Sequence, residues 1–177
     1  MATMQFETKL YKIGQTTILH VPAKVSANLP SRGMVLVEGT VNGARFHTAL
    51  EPDGKGSHWL NVSDQLLKAA KVKDGDTVQV TIDQSKDWPE PDVPSDLDAA
   101  LKADKAGNAI WQDITPMARW DWIRWIRATN NSETRANHVV VALSKMKHGT
   151  RRPCCFNRSM CTDFTVSKNG VLLTTEK

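Results

Sequence analysis

The sequence predicts an α+β chain in which a small β-barrel precedes a helical domain, and three observations carry that prediction. Up to about residue 85, β-branched and aromatic residues recur in period two between Gly, Asn and Asp turn signals. The stretch Trp88-Pro89-Glu90-Pro91-Asp92-Val93-Pro94 then places three prolines within six residues, which excludes both helix and central strand. Beyond it the apolar period lengthens to that of a helix. The expected organisation is a barrel over 1–85, a Pro-rich linker over 86–94, a helical domain over 95–150, and a basic, Cys-containing tail over 151–177.

Each element has a local reason. Phe6–Tyr11 and Thr16–Val21 read as strands joined around Gly14. Met34–Thr40 and Ala44–Leu50 flank Asn42-Gly43, a strong hairpin signal because a type I′ turn needs positive φ at both central residues. Ser57–Val62 is a further strand, Ser63 caps a short helix through Ala70, and Asp74-Gly75-Asp76 turns the chain into a last strand, Thr77–Ile82. After the linker, Ser95 is the expected cap of a helix with Asp98 at the capping-box position, and Ala109–Ile114 continues it. Thr115-Pro116 starts a helix that runs to about Ala128. Asn131 or Ser132 caps the next, which runs towards Lys147 and stops at Gly149. In the tail, Phe164–Val166 and Val171–Thr174 read as a hairpin around Asn169-Gly170.

The 177 residues, 40% of them hydrophobic, are enough to bury a core without disulfides. No secretory leader and no membrane span is evident, so a cytoplasmic protein without membrane insertion is expected. The three cysteines are odd in number and clustered between Cys154 and Cys161, unlike a secreted disulfide framework. The formal charge of +4 is uneven: Arg119 to Arg158 holds nine Lys or Arg against Asp121 and Glu133, a local net of +7. Such a stretch suits phosphates or an acidic protein surface, or is simply a solvated helical face.

Particular motifs then carry a resemblance. The segment Phe6 to Ile82, with VPAKV at 21–25, GTVNG at 39–43, SHWLNV at 57–62 and KDGDTVQV at 73–80, resembles a bacterial domain of unknown function. The resemblance implies a small barrel of the double-split type. VPSDLDAAL at 93–101, WQDITPMARW at 111–120 and SETR at 132–135 are similar to the YdeI/OmpD-associated, or bacteriocin-protection, family. What that implies is a role in envelope stress or peptide tolerance, with no catalytic residues to carry over. CCFNRSMC at 154–161 lies beyond both matches.

Three sets of residues are candidate sites. Cys154, Cys155 and Cys161 with His148 supply four ligands for zinc, although adjacent cysteines fit one tetrahedron poorly. Two-coordinate copper(I), or a site shared across a homodimer, fits them better. Arg151, Arg152 and Arg158 around the thiols would favour thiolate, so redox or covalent thiol chemistry is an alternative, as are inert reduced cysteines. The second set lies on the helix through Trp120. At 100° per residue Ala118, Trp122, Trp125 and Ile126 share a core face, while Trp120, Arg124 and Arg127 gather opposite. That opposite face could stack an aromatic on a ligand, or Arg124 could simply cover Trp120. Arg135 falls among Val139, Ala142, Leu143 and Met146 and needs an acceptor, such as a helix-end carbonyl or Asp92. Third, His20, His47 and His58 sit on separate strands without ligand spacing and read as individual histidines.

No nucleophile elbow, phosphate loop, HExxH helix or dinucleotide glycine pattern is present, which removes the common nucleotide-driven chemistries. The leading expectation is a non-enzymatic binding or adaptor protein of the bacteriocin-protection type, engaging a protein or peptide partner through Trp120, Arg124, Arg127, Arg151 and Arg152. The alternatives are nucleic-acid binding by 119–158, and a metal, thiol-redox or modification-target role of the tail.

Overall fold

A computed structural model describes residues 2–129, 131–153, 163, 165–167 and 171–174. These divide into two compact units, one of residues 2–87 with 165–167 and 171–174, the other of residues 88–153 with Asp163.

The first unit is an antiparallel half-barrel. Its strands are β1 (Met4–Lys9), β2 (Tyr11–Ile13), β3 (Thr16–Val21), β4 (Val35–Val41), β5 (Ala44–Pro52), β6 (His58–Val62) and β7 (Thr77–Gln84), in spatial order β1-β7-β4-β5-β6-β3-β2. Two short helices, α1 (Ala23–Ser26) and α2 (Asp64–Ala70), complete it. Asn42 and Gly43 have φ of 45° and 87°, so the β4–β5 hairpin turns with positive φ at both positions, as the dipeptide requires. Gly39 lets β4 approach β7: a Cβ there would lie 1.9 Å from the Thr81 carbonyl oxygen. The ladder between β5 and β6 holds only two residue pairs, Glu51 with Trp59 and Pro52 with His58, so the sheet folds over at that seam.

Inward-facing Leu19, Val21, Val37, Val41, Leu50, Leu60, Val80 and Ile82 form the main core. On the other side of β3 and β6, Ile18 and Trp59 form a second, smaller cluster with Leu172, a residue from the far end of the chain. The sequence reading of one strand over Phe6–Tyr11 is corrected: Leu10 ends β1, donates its N–H to the Asp76 carbonyl at 2.9 Å and is wholly buried.

In the second unit four helices follow one another: α3 (Ser95–Ala103), α4 (Lys105–Asp113), α5 (Pro116–Ile126) and α6 (Ser132–Lys147). Their apolar stripes meet in a core of Leu97, Leu101, Trp111, Trp122, Ile126, Ala142 and Met146. Thr115 and Asn131 accept N–H bonds from Ala118 and Thr134 and cap α5 and α6. Ser95 is instead the first helical residue of α3, whose cap position is Pro94 without a side-chain bond, so the expected capping box does not form. Asp98 pairs forward with Lys102. Asp104 opens a separate α4 by accepting from the Gly107 N–H at 2.9 Å, where a continuation over Ala109–Ile114 alone was expected. Among the described residues no helix is long and apolar enough to cross a membrane.

Candidate functional site

The helical unit turns its basic residues largely upon its own acids and carbonyls. Arg119, only 8% exposed, donates Nε to the Trp111 carbonyl and Nη2 to the Gln112 carbonyl, both at 2.8 Å, and meets the Glu90 carboxylate through Nη1. It thereby satisfies orphan carbonyls at the C-terminal end of α4. Arg124, placed on the outward face by periodicity, is wholly buried, and Asp121 is 1% exposed. Trp120 donates its indole N–H to the Pro89 carbonyl at 2.9 Å and stands edge-on to Trp88, with ring centres 5.9 Å apart. Arg127 lies 3.7 Å from Asp163, Arg152 lies 3.2 Å from Asp121, and Arg151 binds both the carboxylate (2.7 Å) and the carbonyl (3.0 Å) of Asp113. Arg135 finds neither a helix-end carbonyl nor Asp92 but Asp96, at the start of α3, at 2.6 Å. That bond holds the Asp96 carboxyl below its ordinary range.

His148 ends α6 and donates Nδ1–H to the Ser144 carbonyl at 2.7 Å. Cys154, Cys155 and Cys161 lie outside the described residues. Among the described residues no group of three His, Cys, Asp or Glu is disposed to hold a metal.

The three barrel histidines are not brought together. His47 is exposed and bonds Ser85 at 3.2 Å. His58 is wholly buried between the Gly33 carbonyl and the Ser26 hydroxyl, each at 2.7 Å. The carbonyl can only accept, so Nε2 carries the hydrogen and Nδ1 accepts from Ser26. Burial, above all, depresses the basicity of this ring.

His20 is different, because it faces a cavity. The hollow measures about 520 Å³ and its lining includes Tyr11, His20, Asp53, Lys55, Ser57, Leu172 and Thr174. Asp53 organises it. This residue opens the turn after β5, and its Oδ1 accepts N–H bonds from Lys55 and Ser57, both at 2.8 Å, as Asp commonly does two residues ahead of itself in a turn. Its Oδ2 accepts Nε2–H of His20 at 2.8 Å. Burial would raise the Asp53 carboxyl, but these three bonds and the His20 charge outweigh it and hold the group below its ordinary range. Tyr11 shifts the other way: burial, reinforced by the Asp53 charge, raises its phenol and keeps it a donor.

Of these residues the sequence reading singled out only His20. Asp53 was within reach as the Asp of a Pro-Asp-Gly turn, whereas Tyr11 and Leu172 join the site only through strand pairing and the return of the chain end. A second hollow of about 620 Å³ lies against β4, β5 and β7, lined by Glu38, Arg45, His47, Thr81 and Asp83. None of these side chains is buried, and it is the outer surface of a sheet rather than a built site.

A half-barrel followed by a bundle of helices defines a two-domain α+β protein. Residues 6–82 match the family described as "Domain of unknown function (DUF1905)", and residues 90–149 match "Bacteriocin-protection, YdeI or OmpD-Associated". The two matches follow one another along the chain, the second to a family described as associated with bacteriocin protection. No curated protein matches it.

Proposed function

We propose that this chain is a non-enzymatic binding protein of the bacteriocin-protection type, and that it engages an extended peptide on the outer face of β2, β3 and β6. The observation that supports this reading is that the face already holds residues from the far end of the chain. Leu172 is 7% exposed in a seat made by Ile18 and Trp59, with Val166 and Ile13 against it. Its N–H donates to the Asp53 carbonyl at 2.8 Å, while Val166 and Leu172 form an antiparallel bridge. An apolar anchor in a pocket with main-chain hydrogen bonds beside it is how sheets capture peptides in general.

The test uses a chain ending at Pro153 and a labelled synthetic peptide of residues 163–174. Saturable binding that disappears with Leu172→Asp in the peptide is expected. A shortened chain that stays folded by circular dichroism, yet ignores the peptide or binds the Asp form equally, would overturn the reading.

Nucleic-acid binding by residues 119–158 ranks second. Arg119, Arg127, Arg135, Arg151 and Arg152 each have an acid within 4 Å, leaving less charge for phosphates than the sequence count implies. Binding to mixed DNA or RNA that weakens steeply with salt would reverse that ranking. The metal or thiol role of Cys154, Cys155 and Cys161 stays an independent proposal, decided by metal content and thiol titration.

A further inference from the structure

The cavity beside Leu172 presents an unusual balance of polar groups. Its buried acceptor, Asp53, is already engaged: one carboxylate oxygen takes two main-chain N–H groups and the other takes the His20 imidazole. The Ser57 hydroxyl is likewise committed, donating to the Val21 carbonyl. What remains to meet a ligand includes three side chains able to donate. Fixing Nε2 of His20 on Asp53 leaves Nδ1 as the ring nitrogen that can be offered to the cavity, and in the protonated ring it donates. Tyr11 contributes its hydroxyl and Lys55 its ammonium. Lys55 brings a positive charge to the lining. The rest of the wall is Leu172, Ala23, Thr174 and the Tyr11 ring. At about 520 Å³ the hollow is within the range of small-molecule sites.

From these groups we infer that the cavity is a binding site for a carboxylate carried on a short apolar body, its oxygens taken by His20, Tyr11 and Lys55 and its body set against Leu172. The inference rests on reading this face as a peptide-binding surface, and it names the chemical group recognised there. A carboxylate matches because it is acceptor-only, singly charged and able to take several donors at once. An amine would instead bring its positive charge against Lys55. The same chemistry is offered by the free C-terminus of a peptide and by a small organic acid.

The experiment titrates the full chain with N-acetyl-leucine, N-acetyl-leucinamide and 4-methylpentanoate. It follows the imidazole and amide NMR signals and derives affinities from them. N-acetyl-leucine is expected to move the signals of His20, Tyr11 and Lys55 saturably, with the amide roughly tenfold weaker or worse, as loss of a charge-assisted bond implies. His20→Gln and Lys55→Gln should each weaken the acid by about tenfold, whereas His47→Gln, which lines the other hollow, should not. Comparable binding of 4-methylpentanoate identifies a free acid as sufficient, and a preference for N-acetyl-leucine identifies the peptide terminus. Equal affinity for acid and amide, or no movement of the His20 signals, would overturn the inference. If that happened while the shortened chain still bound the 163–174 peptide, only the carboxylate site would fall. Failure of both would remove the binding surface itself.

Discussion

The two units solve the problem of a stable interior in opposite ways. The half-barrel fills its interior with aliphatic side chains, and Ser26, His58 and Asp53 among its buried polar groups have partners close by. The helical unit packs aromatic and aliphatic residues too, but it draws Arg119, Asp121 and Arg124 inside on a single helix. Burying ions costs several kcal/mol each unless geometry compensates, so such a helix is specified more by who meets whom than by how much apolar area disappears. Cores of the first kind are written in local period; cores of the second kind are written in pairings between distant residues.

The largest effect should come from the barrel, where backbone meets backbone. Gly39→Ala would set a methyl 1.9 Å from the Thr81 carbonyl oxygen, which neither strand can yield without opening the β4–β7 ladder. A loss of about 3 kcal/mol is expected, at the upper end of overpacking costs, measured by urea denaturation. Chemical-shift changes should stay within the first unit. A variant as stable as the parent would mean that the close approach is not a constraint, and the contrast between the units would weaken.

Arg119→Lys probes the other kind of interior. Glu90 is 65% exposed, so the ion pair with it contributes little; the weight falls on the two carbonyls of Trp111 and Gln112, which a guanidinium spans and an ammonium cannot. The expected cost is about 2 kcal/mol, the scale of hydrogen bonds from a charged donor, although charge is preserved. If lysine were neutral there, the arginine would be acting as a charge alone.

How legible each unit was follows from this difference. Asn42-Gly43, the Ser63 cap, the Thr115 cap with Pro116, and the stop at Gly149 were readable because each is decided within four residues. The family motifs added the order of the two domains. The break at Leu10 was not readable, since it depends on bonds with Gly75 and Asp76 more than sixty residues away. Arg124 was misplaced for a related reason: periodicity assigns faces, and α5 is enclosed on more than one, with Arg119, Ile123 and Arg124 buried alongside Trp122 and Ile126. At the candidate site, His20 was visible as a residue, but Asp53, Tyr11 and Leu172 come from three places in the chain.

The smallest effect expected is also the one with a defined sign. In the unfolded chain His58 takes up its proton near pH 6.5, whereas in the folded barrel burial lowers its affinity for that proton. Below about pH 6.5 the unfolded state therefore binds more protons, and stability falls as pH drops; above it both states are neutral and the residue contributes no slope. A single group of this kind contributes at most about 1.4 kcal/mol per pH unit. Thermal melts between pH 7.5 and 5 on the parent and on His58→Gln separate this from general acid effects. The variant should start less stable, having lost the Ser26 bond, yet decline less steeply. Parallel slopes would show that His58 stays neutral on both sides of the transition, or charges in both. In either case the barrel's response to acid would rest on Asp53, whose carboxyl is held below its ordinary range, and not on His58.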